Sequence, residues 1–397
     1  MTDMIRLADH RPPICEDRPT RSTAAARPAA ARILVVGTMA SRSGAPIAAL
    51  RLAAGLSGSG HEVQALFLYR REDVESGDFP ARSLLGSPPR GPFEFLRMTW
   101  RLHKAIRDFR PQGIVTFLPL ASVLACSIGW VHGARVRIVS HRVPRATYGR
   151  ILLALDRALA WAGAYSDVVA VSASVARSCR TYPQWLRKRI RVIYNGLKDW
   201  QPSSLDRAAA RRRLDLPGNA FVVAAVGRID PQKNYPVLID AMSELPGNVV
   251  LAIAGDGSER NAVEARIAAK GLLERVRLLG NIPRGEVPHL LKSADLFVQP
   301  SLFEGQSNAL LEALAAGLPC LVSDAPEQAE TISGPAGTAG AILPTHDSEA
   351  WGAAIATACC DPGYRAKMAP AIAAQAARFT YRRMIDDFQQ LLAERLA

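Results

Sequence analysis

The chain predicts an α/β fold of two consecutive doubly wound parallel-sheet domains, and three observations predict it. At 397 residues it is too long for one compact core, because single cores stop growing near roughly 250–300 residues. Short β-branched apolar runs alternate with helical patterns along most of its length, as in chains of β-α-β units. A polar, proline-containing stretch near the middle divides those units into two series.

The first series opens with "RILVVGT" at 32–38, a continuous apolar run ending in glycine that reads as a strand buried on both faces. The helical pattern "SGAPIAALRLAAGLSGSGHEV" follows, closed by Gly58 and Gly60, and leads into a second strand, "EVQALFLY". The loop between strand and helix contains Gly44 but is neither G-x-G-x-x-G nor a P-loop. Further strands are "GIVTFL", "VRIVS", "DVVAVS" and "RVIYN". The uncharged stretch 113–131, "GIVTFLPLASVLACSIGWV", approaches the length of a membrane span, but Pro119 divides it into a strand and a helix. The second series runs "FVVAAVGRID", "VVLAIAGDG", "VRLLGNIP", "DLFVQPS" and "PCLVSD". Residues 1–31, rich in Ala, Arg, Pro and Thr, are expected to be a disordered tail. Domains are therefore expected over 32–198 and 219–375, with a linker over 199–218 and a C-terminal helix over 376–397. Two such domains in succession imply binding in the crevice at the carboxyl ends of both sets of strands.

Composition is that of a globular protein, with 49% hydrophobic and 21% charged residues, which excludes a largely disordered or polytopic membrane chain. Six cysteines show neither C-x-x-C spacing nor a Cys/His cluster, as suits a reduced cytoplasmic compartment. The net charge of +13 is unevenly spread. Residues 1–200 hold 30 Lys and Arg against 14 Asp and Glu, whereas residues 201–397 hold 19 against 22. The first half is thus directed at an anionic surface, nucleic acid or lipid.

"SLFEGQSNALLEALAAGLP" (301–319) places Glu304 and Glu312 around a helix start. Ser307 reads as the N-cap of a helix from Asn308 to Ala316 ended by Gly317 and Pro319, with Leu310, Leu311, Leu314 and Ala315 as its buried arc. A helix N-terminus docks phosphate, while carboxylates accept hydrogen bonds from hydroxyls. A ligand satisfying both carries diols at its ends and phosphates in its middle, the shape of a nucleotide-diphosphate sugar. Cations to offset the acids stand in "GRIDPQKN", where Arg228 follows Gly227 at a strand end and Lys233 lies five residues on.

These residues resemble a known family. "PSLFEGQSNALLEALAAGLP" with its E-x7-E spacing, "VGRIDPQKN", "IAGDG", "RVIYNG" and "RFTYRRMIDDFQQLL" are similar to the retaining family 4 glycosyltransferases (glycosyl transferases group 1) of GT-B fold. The resemblance covers about residues 32–395 and implies two Rossmann-like domains facing a central cleft, the C-terminal helix crossing back to the first. It implies that Arg228 and Lys233 hold a donor diphosphate, that Glu312 takes the ribose hydroxyls, and that Glu304 lies beside the transferred sugar. By the same resemblance, backbone amides at Gly305, Gln306, Ser307 and Asn308 are expected to meet sugar and phosphate. "EGQSN" departs from the commoner E-G-F-G where donor sugars are told apart. In the first domain "SGAP" replaces Gly-Gly-x-Glu, with Pro46 at the acidic position, although Gly44 still lets backbone approach the phosphate. His141, in "VSHRVP", matches a cleft histidine of many relatives; a subgroup with Ser-x-Arg points instead to Arg142.

The implied chemistry is retaining transfer of a hexose-type sugar from a nucleotide sugar to a cell-envelope glycan or lipid-linked acceptor, without metal or cofactor. Basic segments at 90–110, 135–157 and 177–191, the first mixing Phe93, Leu96 and Trp100 with Arg97, Arg101 and Lys104, suit peripheral contact with the inner face of an anionic membrane. Two other readings compete: another GT-B enzyme, such as a sugar-nucleotide epimerase or glycoside phosphorylase, and a basic nucleic-acid-binding protein. The last lacks any recognisable nucleic-acid-binding signature, so no nucleic-acid partner is expected.

Overall fold

The computed structural model describes residues 30–41, 44–71, 79–198 and 200–397. The tail expected over 1–31 lies outside the described residues except for its last two positions, as do Arg42 and Ser43 of the first loop and Asp199 of the expected linker.

Two parallel sheets carry the fold. The first has seven strands, β1 (Arg32–Ala40), β2 (Glu62–Arg70), β3 (Ala81–Leu85), β4 (Gly113–Phe117), β5 (Val136–His141), β6 (Asp167–Ala170) and β7 (Ile190–Val192), in the order 3-2-1-4-5-6-7. The second has β8 (Phe221–Val226), β9 (Val249–Ala254), β10 (Val276–Gly280), β11 (Leu296–Gln299), β12 (Cys320–Ser323) and, past the short hairpin β13 (Ser333–Gly334) and β14 (Gly337–Thr338), β15 (Gly340–Leu343). Its order is 10-9-8-11-12-15. The strand order reverses between β1 and β4 and between β8 and β11, and crevices form at the carboxyl ends of such switch points. Residues 113–131 resolve into β4 and the helix Pro119–Val131. Among the described residues no helix is long and apolar enough to cross a membrane.

Both sheets are covered on both faces, which is why their strands read as unbroken apolar runs rather than alternating ones. The C-terminal helix Tyr381–Leu396 packs Met384, Ile385, Phe388, Leu391 and Leu392 into the core of the first domain, against Ile33, Val35 and the helix Gly44–Gly58. The chain thus crosses twice between domains, and the crossings run side by side through a parallel bridge between Leu197 and Thr380. A Cβ on Gly196 would stand 2.4 Å from the Thr380 carbonyl oxygen, so only glycine lets them approach so closely.

The expected linker is not a free tether. Trp200, Leu214 and Leu216 pack on the core of the second domain, and the helix Arg207–Arg213, capped by Asp206, fixes Arg211 to Asp295 at 2.9 Å. The crossing itself occupies the few residues after β7.

Candidate active site

The second domain contributes two loops that flank its switch point. After β8 comes Gly227, where a Cβ would lie 2.8 Å from Lys233 Cε; the missing side chain lets Lys233 fold back over the strand end. Lys233 Nζ donates to Glu304 Oε1 at 2.6 Å, with the two side chains 13% and 10% exposed. Arg228 behaves differently. It lies at the rim, paired with Asp230 at 2.8 Å.

The loop after β11 ends in the helix Asn308–Ala315. Ser307 is its N-cap, accepting from the Leu310 N–H and donating to Gln299 Oε1 at 2.7 Å. Leu310, Leu311 and Leu314 are buried, with Ala313 rather than the expected Ala315 completing the arc. Glu312 therefore sits half-buried on the flank of the helix. Burial pushes its carboxyl up to about 7, against the pull of Arg284. Such a carboxyl gains most from a ligand that donates hydrogen bonds to it.

The first domain meets this loop directly. A Cβ on Gly305 would fall 1.6 Å from the carbonyl oxygen of Arg142, and one on Gly44 would lie 3.4 Å from Asn308 Nδ2. The N-termini of two helices, Gly44–Gly58 and Asn308–Ala315, thereby converge. The positive ends of both helix dipoles thus face this junction. Arg142 Nη1 donates to Asn195 Oδ1 at 2.7 Å, and the Asn195 N–H donates to Gln306 Oε1 at 2.6 Å. The Arg142 guanidinium also stacks on Phe117, 4.4 Å from the ring centre. Burial pushes it down to about 9, still cationic at neutral pH. Arg142 Nε and Nη2 and Gln306 Nε2 are buried donors with no hydrogen-bond partner among the described residues. A site left with surplus donors calls for a ligand rich in acceptor oxygens.

His141 does not stand where the family likeness put it. Its side chain is buried, Nδ1 lies 2.7 Å from the Tyr148 hydroxyl and Nε2 lies 2.8 Å from that of Tyr182. Tyr182 commits its proton to Asp156, which also holds Arg145 at 2.6 Å. The Tyr182 oxygen must then accept from Nε2–H, which leaves Nδ1 to accept from Tyr148. Burial lowers the imidazole to about 4, so it is neutral and fully partnered, a strut rather than a cleft base. Its neighbour Arg142 turns instead to Asn195 and Phe117, beside the loop of the second domain.

Two participants went unseen in the sequence. Asn195 closes the link between Arg142 and Gln306, and its only signal is its place in "RVIYNG" after a strand. On the other side of the junction, Glu330 accepts from the N–H groups of Ala173 (2.7 Å) and Ser174 (3.1 Å) and from the Tyr194 hydroxyl (2.8 Å).

Comparison with known proteins bears on the family and the fold. Residues 206–375 match the family model of glycosyl transferases group 1, and residues 42–199 that of glycosyltransferase family 4. The chain is 32% identical over 227 residues to the D-inositol 3-phosphate glycosyltransferase of Salinispora tropica, covering 53% of this chain and 47% of that protein. It is 38% identical over 144 residues to the UDP-Gal:alpha-D-GlcNAc-diphosphoundecaprenol alpha-1,3-galactosyltransferase of Escherichia coli, 34% of this chain and 37% of that one. The chain thus spans about half the length, or less, of these curated relatives. Among solved structures, HepE of Anabaena in complex with UDP and glucose has the same fold, with a TM-score of 0.78 at 21% identity over 92% of this chain and 100% of that one. The two family models together span most of the sequence and coincide with the two facing parallel sheets: the chain belongs to the group 1, family 4 glycosyltransferases of GT-B fold.

Proposed function

We propose that the chain is a retaining, metal-independent hexosyltransferase that moves a sugar from a nucleotide-diphosphate sugar to a lipid-linked or cell-envelope glycan acceptor at the inner face of the cytoplasmic membrane. The observation that carries the reading is the buried Lys233–Glu304 pair, next in the chain to Gly305, which abuts the Arg142 backbone, and accompanied by the half-buried Glu312 and the partnerless donors of Arg142. In this arrangement the donor ribose hydroxyls donate to Glu312. The diphosphate lies over the N-terminus of the helix Asn308–Ala315 with Lys233 and Arg228 as counter-charges, and Glu304 orients the sugar.

The anomeric carbon–phosphate oxygen bond breaks as the acceptor hydroxyl attacks from the same face. The departing phosphate oxygen takes the acceptor proton, so the configuration is retained and Glu304 forms no bond to the sugar. Pre-aimed cations and N–H groups stabilise the leaving charge. The acceptor class is supported by the names of relatives. One acts on a diphosphoundecaprenol-linked sugar, and a Rhizobium meliloti protein, 31% identical over 210 residues, is a lipopolysaccharide core biosynthesis glycosyltransferase.

The test is thermal stability of the purified protein against UDP-, GDP-, ADP- and dTDP-sugars, with Glu312→Ala alongside. A ligand at about 100 times its dissociation constant adds roughly 2.7 kcal/mol. One nucleotide class should stabilise the wild type and fail on the variant. No stabilisation by any of them in a folded protein overturns the reading.

A further inference from the structure

We infer that the outer face of one helix layer of the first domain is a docking surface for an anionic lipid bilayer. The layer comprises the helices Pro92–Phe109, Pro119–Val131 and Arg150–Ala162. The first is apolar on two opposite sides. Met98, Leu102, Ile106 and Phe109 are buried against Leu34, Leu66, Leu68 and Ile114 of the sheet, which is enough to hold the helix in place. At about 100° per residue, Phe93, Leu96 and Trp100 fall on the opposite side. There they stand 76%, 66% and 61% exposed.

The neighbouring helices repeat the feature. Trp130 and Val131 are exposed on the second, and Ile151, Leu155 and Trp161 on the third. Of the twelve large apolar side chains exposed among the described residues, nine belong to the first domain, so the excess is not a general property of the surface. An apolar hollow of about 470 Å³ between Pro89, Gly91, Pro92, Phe95 and Leu96 opens at the start of the first helix. That is room for part of an acyl chain beside the ridge.

Charge selects the kind of surface. Residues 81–191 hold 19 Lys and Arg but only four Asp and Glu. Two of those acids, Asp156 and Asp167, are fully buried, and the other two, Glu94 and Asp108, pair with Arg97 and Arg107. The three helices themselves carry Arg97, Arg101, Lys104, Arg107, Arg150 and Arg157 against Glu94 and Asp108 alone outside the core, and Lys104 sits 5.8 Å above the Trp100 ring. Nucleic acid would use the cations and the rings, but phosphate and bases give no return on exposed Leu96, Val131, Ile151 and Leu155. A bilayer interface rewards all three: aromatic rings at headgroup depth, aliphatic groups below, and cations against anionic lipid.

This deepens the membrane-side location proposed above and uses none of the donor-site residues. The experiment is co-sedimentation of the full chain with phosphatidylglycerol-rich vesicles, with pure phosphatidylcholine vesicles and duplex DNA as controls. The triple variant Phe93→Ser, Leu96→Ser, Trp100→Ser is compared with Ile151→Ser, Leu155→Ser, a second pair on the same face. The wild type should partition onto the anionic vesicles. Each variant should lose about tenfold or more in partition, because each large apolar group withdrawn from the interface costs on the kilocalorie scale. Nucleotide-sugar stabilisation should be unchanged in both. A wild type left in the supernatant, variants that bind as well as it does, or equal binding to DNA overturns the inference. Vesicle binding that persists in a protein with no nucleotide-sugar affinity would instead sink the enzymatic reading and leave the surface standing.

Discussion

Replacing Glu312 by Gln probes the donor site through its proton. In the ligand-free protein, burial holds this carboxyl at about 7 instead of the ordinary 4.5. The ionised form accepts more strongly from the ribose hydroxyls, through both oxygens and with no O–H of its own to place, so the proposed pose predicts that donor binding expels the proton and that affinity rises with pH. With a midpoint near 7, about a tenth of the carboxyl is ionised at pH 6 and about nine tenths at pH 8. The dissociation constant should therefore weaken about tenfold from pH 8 to pH 6, or ~1.4 kcal/mol. Glu312→Gln should bind more weakly at pH 8 and show no such slope. The ligand must be the intact nucleotide sugar, because a free nucleotide diphosphate has a terminal phosphate that itself titrates near pH 6. The stability of the empty protein should run the other way. The folded state binds the extra proton between about pH 4.5 and 7, so stability from this group is full below that window and lost as pH rises through it, by at most about 3 kcal/mol. Titration calorimetry across the pH range reads the first effect and thermal melts the second. A flat affinity profile in the wild type, or the same slope in the Gln variant, refutes the assignment.

Lys233→Ala should reduce turnover by about 10²-fold or more, the scale of one strong transition-state contact; a steady-state rate equal to wild type removes it from the mechanism. Gly305→Ala places a methyl group inside the van der Waals radius of the Arg142 carbonyl oxygen, so the domains must separate. Turnover should fall by about 10²-fold while donor-induced stabilisation survives, since misplacement by an ångström costs that much. His141→Phe strands the hydroxyl of Tyr148 and takes a donor from Tyr182, at about 1–3 kcal/mol of stability. Its melting temperature should drop with little change in donor affinity; the reverse pattern would return His141 to the cleft. Glu330→Ala removes three hydrogen bonds across the domain junction and should enlarge the radius of gyration read by small-angle scattering. Unchanged scattering would show that Glu330 does not hold the junction.

The two-sheet architecture was legible because strands buried on both faces leave unbroken runs such as "RILVVGT" and "VVLAIAG", which no other element explains as well. The helix start at Ser307 was legible because an N-cap and a terminating glycine are local signals. What depended on side-chain direction was not. "VSHRVP" places His141 and Arg142 next to each other at the end of β5, and adjacent residues there point to opposite sides. Only the packing of Tyr148, Tyr182 and Asp156 shows that His141 faces inward, and only Asn195 and Phe117 show where Arg142 turns. The stretch 199–218 read as a linker because its apolar residues are sparse, yet Trp200, Leu214 and Leu216 reach a core built by distant strands. Similarly, "PFEFLRMTW" mixes two apolar faces in one run. Their separation needs the partner surface.

The junction between the domains ties the two halves of the site to one motion. Tyr194 and Asn195 are consecutive residues just after β7, where the chain begins its crossing. The first donates to Glu330 in the helix after β12, the second to Gln306 in the loop after β11. Gly196 follows, wedged against Thr380 and Tyr381 of the return crossing, and the Arg51 side chain donates to its carbonyl oxygen at 3.3 Å. A rotation of one domain on the other must pivot where these two crossings lie together. Any such rotation strains both the Glu330 contacts and the link from Arg142 through Asn195 to Gln306. The loop carrying Gly305 and Gln306 and the arginine that faces it from the other domain are therefore brought together or parted in a single step. Under the proposed transfer, opening would release a product, and closing would bring the surplus donors of Arg142 and Gln306 around the next substrate.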